Sequence, residues 1–189
     1  DLALMREIPG MTVLCPADAV SARKLLEAAV DFEGPAYIRL GRSGVPVLYS
    51  DDQAEKIQIG KATQLREGSD VTIIATGILV SDAMTAAEEL AAEGISARVL
   101  DMHTIKPIDA EAIIKAAQET GAIVTAEEHS VIGGLGSAVA EVVVQNAPCR
   151  IEMVGQKDTF GESGKPAELL EKYGMTAGDI ADAVKKVLK

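Results

Sequence analysis

The stretch from Val124 to Glu141, VTAEEHSVIGGLGSAVAE, decides the fold class of this 189-residue chain. A β-branched apolar run leads into two carboxylates and a histidine, and a glycine-rich turn then opens an amphipathic helix. A strand followed by a tight turn and a helix is one half of a βα unit. Repetition of this unit builds a parallel sheet that is covered by helices.

The sequence on both sides of this stretch repeats the same alternation. Beyond Asp70, short apolar runs alternate with segments whose apolar residues recur at helical spacing. The predicted strands are 71–75, 97–101, 122–126 and 150–154, and the predicted helices are 81–92, 110–119, 137–145, 166–173 and 179–188. This pattern predicts an α/β fold, a three-layer αβα sandwich with a mostly parallel sheet.

A smaller α/β piece precedes this domain. Strands are expected at 12–15 and 36–40, with a helix at 19–29 between them, and a Gly-, Pro- and Ser-rich loop follows. We predict a linker near 43–60, in which residues 56–65 form an extended connector or an edge strand.

The predicted domains are therefore 1–55, a partial unit with its linker, and 56–189, the αβα domain. A partial unit has few sheet neighbours, and exposed strand edges favour mobility or self-association. We expect more disorder before about residue 55 than after it, or a dimer that covers the gap. Asp1 reads as a cut end or a domain boundary, because no initiator Met or signal-peptide pattern is present.

Composition narrows the functional classes. Hydrophobic residues make up 48% of the chain, aromatic residues only 3%, and Trp is absent, so the core must consist of Ala, Val, Ile and Leu. The net charge of -11 argues against nucleic acid and anionic membrane surfaces as partners. No apolar run reaches the roughly 20 residues of a membrane span. Cys15 and Cys149 are predicted to be free thiols in a reducing compartment, which indicates the cytoplasm.

Glu127, Glu128 and His129 lie at the carboxyl end of a predicted parallel strand, the edge at which α/β sheets bind ligands. Side chains alternate along a strand, so Glu127 and His129 should share one side while Glu128 faces the other. A metal site would need further ligands, and His103 is the one other histidine. We therefore favour a structural or interfacial role over a metal site.

The glycines 133, 134 and 136 resemble a dinucleotide-binding turn in outline. The spacing differs from the G-x-G-x-x-G pattern, because position 139 is Val. A tight turn with close helix–sheet packing is the favoured interpretation, and nucleotide binding is the alternative.

Two arginines and two loops are the remaining candidates. Arg39 and Arg42 lie where the strand 36–40 runs into a glycine-rich loop, a position suited to binding phosphate or carboxylate, although charged residues there are usually solvated. Asp109 is expected to cap the helix that follows Pro107. The polar segment 158–165 lacks the glycine spacing of a P-loop.

Four segments closely resemble transketolase, a thiamine-diphosphate enzyme. They are DLALMREIPGMTVLCPAD at 1–18, LDMHTIKP at 100–107, EEH-x-x-x-GG-x-G at 127–136 and SGKPAELL at 163–170. The resemblance covers essentially the whole chain and implies the end of the pyrimidine-binding domain followed by the transketolase C-terminal domain. Deoxyxylulose-phosphate synthases share the E-E-x-x-x-x-G-G pattern but usually lack SGKPAELL, and the β subunits of branched 2-oxo-acid dehydrogenases fit these motifs less well.

The resemblance implies a place for this chain in two-carbon ketol transfer between ketose and aldose phosphates, as in the pentose phosphate pathway. Arg42 matches the arginine that binds the substrate's phosphate, whereas Arg39 matches no such role. The resemblance also implies thiamine diphosphate and Mg²⁺ in the complete enzyme.

In the family, the glutamate that activates the cofactor and the Ser-His-Gln histidine precede the position of Asp1. The family's diphosphate-binding domain and its metal ligands likewise have no counterpart in these residues. We therefore expect the chain alone to be inactive, with no catalytic, cofactor-binding or metal-binding residues. It should need an N-terminal transketolase section or subunit and form a homodimer. The alternatives are a non-catalytic assembly or regulatory αβα module, and a part of a related thiamine-diphosphate enzyme such as deoxyxylulose-phosphate synthase.

Overall fold

The computed structural model describes residues 1–189 and contains eight helices and eight strands. In chain order these are α1 (Leu2–Glu7), β1 (Thr12–Leu14), α2 (Ala19–Val30), β2 (Ala36–Ile38), α3 (Asp51–Ala54), β3 (Thr63–Arg66), β4 (Val71–Ala75), α4 (Leu79–Ala92), β5 (Ala97–Asp101), β6 (Thr104–Lys106), α5 (Ala110–Thr120), β7 (Ala122–Ser130), α6 (Leu135–Asn146), β8 (Arg150–Gln156), α7 (Pro166–Lys172) and α8 (Ala177–Val187).

The larger sheet has five strands in the order β3-β5-β4-β7-β8, and every neighbouring pair is parallel except β3 with β5. The central strand β4 shows why helices must cover both faces. Val71, Ile73 and Ala75 pack on one side with α4 and α8, whereas Ile74 packs on the other with α5 and α6. Alternate side chains of an extended strand point to opposite faces, so an apolar run such as this one needs two apolar layers. The predicted three-layer αβα sandwich with a mostly parallel sheet is confirmed.

A second, three-stranded sheet joins the first residues of the chain to the larger domain. Its order is β2-β1-β6, with β1 parallel to β2 and antiparallel to β6. Strand β6, from the part of the chain after β5, gives β1 a sheet neighbour that the sequence did not predict. No strand was predicted at the position of β6, because three residues are too few for a strand pattern to be recognised.

Three further elements, α1, α3 and β7, differ from the expectations, whereas β3 agrees with one of them. The short helices α1 and α3 were not predicted, since each buries a single residue and shows no helical periodicity. Residues 56–65 were predicted to form either an extended connector or an edge strand, and they contain an edge strand, β3. Strand β7 continues to Ser130, so the two glutamates and His129 belong to the strand itself.

Side-chain caps begin α2, α5 and α8, and one of them is the cap expected at Asp109. The carboxylate of Asp18 accepts from the backbone of Ser21, that of Asp109 accepts from Ala112, and Thr176 forms a reciprocal capping box with Asp179. None of the eight helices combines the length and hydropathy that a membrane crossing requires.

Candidate functional site

A cavity of about 550 Å³ lies beside the carboxyl end of β7. Its lining comes from four separated parts of the chain: the loop after β2, Ile78 before α4, the end of β7, and the stretch from the end of β8 to Met175. The loop after β2 contributes both Arg39 and Arg42, and the end of β7 contributes Glu128 and His129. The structure therefore brings two sets of predicted site residues to one place.

Arg42 lies on an exposed part of the cavity lining. Its guanidinium forms no hydrogen bond and no ion pair within the chain, whereas that of Arg39 forms two. A free guanidinium at a cavity presents paired N–H donors that match the oxygens of a phosphate, sulfonate or carboxylate.

Arg39 is held in place from both sides. Its Nε lies 3.1 Å from Oδ2 of Asp1, and its Nη1 lies 3.2 Å from Oε2 of Glu128. The hydroxyl of Tyr37 donates to the same Asp1 oxygen at 2.8 Å. Two carboxylates therefore compensate the charge of Arg39.

Glu127 is fully buried and caps α6. Its two carboxylate oxygens accept from the backbone N–H groups of Leu135, at 2.7 Å, and Gly136, at 2.8 Å. Burial raises the pKa of Glu127 to about 7. The two backbone hydrogen bonds favour the charged form and lower the pKa, but the effect of burial is larger. The protein's own carboxylate thus occupies the first turn of α6 and binds two of the N–H groups that a nucleotide phosphate would use there.

The glycine-rich turn leaves the space that this carboxylate fills. A Cβ atom at Gly134 would lie 2.0 Å from Oε2 of Glu127 and 2.7 Å from Nδ1 of His129. A Cβ at Gly136 would meet Met153 and Thr125, both at 2.9 Å. The interpretation as a tight turn with close helix–sheet packing is confirmed.

His129 lies on the same side of β7 as Glu127, as the strand alternation predicted, with Nδ1 3.6 Å from Oε2 of Glu127. This nitrogen also lies 2.8 Å from the carbonyl oxygen of Ser130, which accepts but cannot donate, so Nδ1 carries the proton. Nε2 lies 3.2 Å from the main-chain nitrogen of Asp1. Burial lowers the pKa of His129, which favours the neutral ring.

The second histidine does not join this site. His103 is fully buried, its ring nitrogens lie near the hydroxyls of Thr104 (3.2 Å) and Thr63 (3.4 Å), and burial lowers its pKa to about 4. No group of three or more His, Cys, Asp or Glu side chains could hold a metal ion. Both cysteines are free thiols, and burial raises the pKa of Cys15 to about 11.

Sequence reasoning missed a buried polar link that holds the loop carrying Arg42. The hydroxyl of Tyr49 donates to Oδ2 of Asp101 at 2.6 Å, and Oδ1 of Asp101 has no partner. Oδ2 of Asp18 accepts from the backbone N–H groups of Leu48 and Tyr49. Burial raises the pKa of Asp101 to about 7. Tyr49 and Asp101 are 52 positions apart, so no local motif could have revealed the pair.

Comparison with known proteins agrees with this architecture. Residues 60–180 match the model of the transketolase C-terminal domain, and residues 1–47 match that of the transketolase pyrimidine-binding domain. A solved structure described as "Split gene transketolase, inactive beta4 tetramer" superposes with a TM-score of 0.95 at 56% identity, covering 99% of this chain and 61% of that one.

Three relatives show the range of named activities. A 6-deoxy-6-sulfo-D-fructose transketolase subunit SqwH of Clostridium sp. (strain MSTE9) is 50% identical over 99% of this chain and 58% of its own length. One of the apulose-4-phosphate transketolase subunits of Phocaeicola vulgatus is 43% identical over 100% of this chain and 60% of its own length. A 1-deoxy-D-xylulose-5-phosphate synthase of Heliobacterium modesticaldum is 40% identical over 99% of this chain and 29% of its own length.

The chain thus spans about three fifths of the length of the transketolase subunits that it matches and less than a third of the synthase. Two family models, matched one after the other, together cover most of its residues, and their order along the chain is the order that the motifs predicted. The chain belongs to the transketolase family.

Proposed function

We propose that this chain is the C-terminal part of a transketolase that moves a two-carbon ketol group between a ketose and an aldose whose far ends carry an anionic group. Arg42 binds that group. The observation that carries the proposal is the uncompensated guanidinium of Arg42 on the cavity lining, beside an Arg39 that two carboxylates already neutralise.

The names of the relatives support an oxyanion at the end of the sugar. One relative is named for a sulfonated ketose and another for a sugar phosphate. Phosphate and sulfonate both present several oxygens that a planar guanidinium can bind in a paired manner. We therefore assign a terminal oxyanion of the sugar as the group that Arg42 binds. The kinetic comparison of a phosphorylated with a sulfonated sugar distinguishes phosphate from sulfonate.

We propose that thiamine diphosphate and Mg²⁺ bind to the remainder of the assembled enzyme. The residues of this chain do not fit the cofactor's diphosphate: no cluster of metal ligands is present, and the glycine-rich helix start is filled by Glu127. When bound, the cofactor supplies the nucleophilic carbon that attacks the ketose. The work of this chain is then to bind and orient the substrate.

The proposed assembly has an N-terminal section or subunit as partner, forms a homodimer and works in the cytoplasm. We propose residues 1–55 as the end of the pyrimidine-binding domain and 56–189 as the C-terminal domain. The two family-model matches end at 47 and begin at 60, on either side of this division.

A second candidate function is a non-catalytic assembly or regulatory module. The structural relative of 56% identity is described as an inactive tetramer of β chains, which favours a chain that associates with itself without chemistry of its own. A ketol-transfer assay separates the two functions. The transketolase proposal expects turnover only when this chain is combined with its N-terminal partner, thiamine diphosphate and Mg²⁺.

The Arg42→Ala variant of the assembled enzyme is expected to raise KM for fructose 6-phosphate by about 10- to 100-fold, because a charge-assisted hydrogen bond contributes on the order of 1.5–3 kcal/mol. KM for unphosphorylated fructose should not change. The same comparison with 6-deoxy-6-sulfofructose shows which oxyanion loses more affinity. Steady-state kinetics with the three sugars make the measurement.

The control is Arg23→Ala, which removes an exposed arginine of α2 that does not line the cavity. This variant should keep the KM values of the starting enzyme. Unchanged KM values in Arg42→Ala would overturn the assignment of Arg42.

A further inference from the structure

The cavity that contains Arg42 has a second wall, which comes from the chain after β8. Residues 157–165, here called the rim segment, connect β8 to α7, and each of them is exposed. Gly161 and Glu162 of this segment line the cavity together with Tyr173, which directly follows α7. The C-terminal domain therefore shapes a cavity whose arginines come from the first 50 residues.

The hydroxyl of Tyr173 is the main link between the rim segment and the core. It accepts from the backbone N–H of Glu162 at 2.9 Å and donates to the carbonyl of Phe160 at 3.2 Å. The ring of Tyr173 packs against the main hydrophobic core. The side chain of Phe160 is 97% exposed, so packing of that side chain does not order the segment.

The other contacts of the rim segment are weaker or local. Nζ of Lys172 lies 2.7 Å from Oε1 of Glu162, but both side chains are at least half exposed, and such pairs contribute little to stability. The side-chain amide of Gln156 donates to Thr159, three residues away. The two hydrogen bonds of Tyr173 are thus the contacts that fix the middle of the segment against the fold.

The charged side chains around the cavity are all paired except that of Arg42, so the place of Glu162 matters for what can bind there. Arg39 is compensated by Asp1 and Glu128, and Glu162 is compensated by Lys172. Arg42 is then the one charged side chain of the lining without an opposite charge beside it. If Glu162 moved away from Lys172, its carboxylate would be free to approach Arg42 and compete with an anionic ligand.

We propose that Tyr173 is a positioning residue for the anionic end of the sugar: it holds the rim segment, keeps Glu162 on Lys172 and leaves Arg42 free. This inference rests on the proposed function, because it requires the anion to bind at Arg42. It assigns to the C-terminal domain a part in substrate selection.

The test is the Tyr173→Phe variant of the assembled enzyme, which retains the packed ring and removes the hydroxyl. We expect KM for fructose 6-phosphate to rise about three- to tenfold, the effect of losing an ordinary hydrogen bond. The value of kcat and KM for unphosphorylated fructose should stay unchanged. A purely structural role would affect both sugars alike, so an equal rise in both KM values, or no rise in either, would overturn the inference.

The double variant Arg42→Ala/Tyr173→Phe separates this inference from the proposed function. With Arg42 removed, Tyr173→Phe should cause no further rise in KM, whereas independent effects would multiply and contradict the inference. An effect of Arg42→Ala with none of Tyr173→Phe overturns the inference alone. No effect of Arg42→Ala overturns the proposed function and, with it, the inference.

Discussion

The Gly134→Ala variant is expected to lose about 2–4 kcal/mol of unfolding free energy, because the new methyl group enters space that the buried carboxylate of Glu127 occupies. The Cβ atom would lie 2.0 Å from Oε2 and 2.8 Å from Cδ of Glu127. Relief requires the carboxylate to leave the N–H groups of Leu135 and Gly136, and a buried charge that loses such partners is costly. Urea denaturation of both proteins measures the difference.

The matched control is Gly44→Ala. A Cβ atom at Gly44 meets nothing within 4 Å, so this variant should stay within about 0.5 kcal/mol of the starting protein. In a Glu127→Ala background, Gly134→Ala should cost clearly less than it does alone, since the closest clash is gone. A full loss in that background would show that Glu127 is not the neighbour that requires glycine.

Asp101→Asn is expected to stabilise the protein progressively relative to the starting chain as the pH rises from about 4 to above 7. Burial raises the folded-state pKa of Asp101 from 3.8 to about 7, so between these values the folded state holds a proton that the unfolded state has lost. Stability from this carboxyl therefore falls as the pH increases through that window. Asn carries no charge, so the difference between the two proteins should grow by on the order of 4 kcal/mol, as unfolding at several pH values would show.

Only the change of this difference with pH is diagnostic. His103 has a folded-state pKa lowered to about 4 and contributes an opposite slope below its ordinary value, but it is present in both proteins and cancels. If the difference for Asp101→Asn did not vary with pH, Asp101 would be ionised in the fold as readily as in the unfolded chain.

Asp101 also bears on the candidate site, because it holds Tyr49 and thereby the far end of the loop that carries Arg42. The near end of that loop is held by the backbone N–H of Arg39, which donates to the carbonyl of Leu14 at 2.8 Å. A loop anchored at both ends presents its guanidinium at lower conformational cost than a free one. The buried link thus holds the loop of the proposed binding residue without lining the cavity.

The regular part of the fold could be predicted because its signals are local. The apolar runs of β4, β5, β7 and β8 and the helical spacing between them were visible in the sequence, since buried strands and amphipathic helices repeat their pattern over several residues. The caps at Asp18, Asp109 and Thr176 were visible for the same reason, because a cap and its partner lie three residues apart.

The candidate site was visible only in part. The strand alternation placed Glu127 beside His129, and the motifs singled out Arg42, but no pattern showed that Arg39 is bound by Asp1 and Glu128. The contacts of Tyr173 were equally hidden, since its partners lie 11 and 13 positions away in a loop without regular structure.

The sequence by itself determined the αβα class and the family resemblance, and it singled out Arg42 as the candidate for the substrate, because these depend on residue type and short-range spacing. The tertiary structure alone decided which charges are compensated, which carboxylate fills the start of α6 and how β6 joins the first residues to the larger domain. Such outcomes depend on contacts between residues far apart in the chain, and whether a carboxylate is buried or exposed depends on what the rest of the fold packs around it.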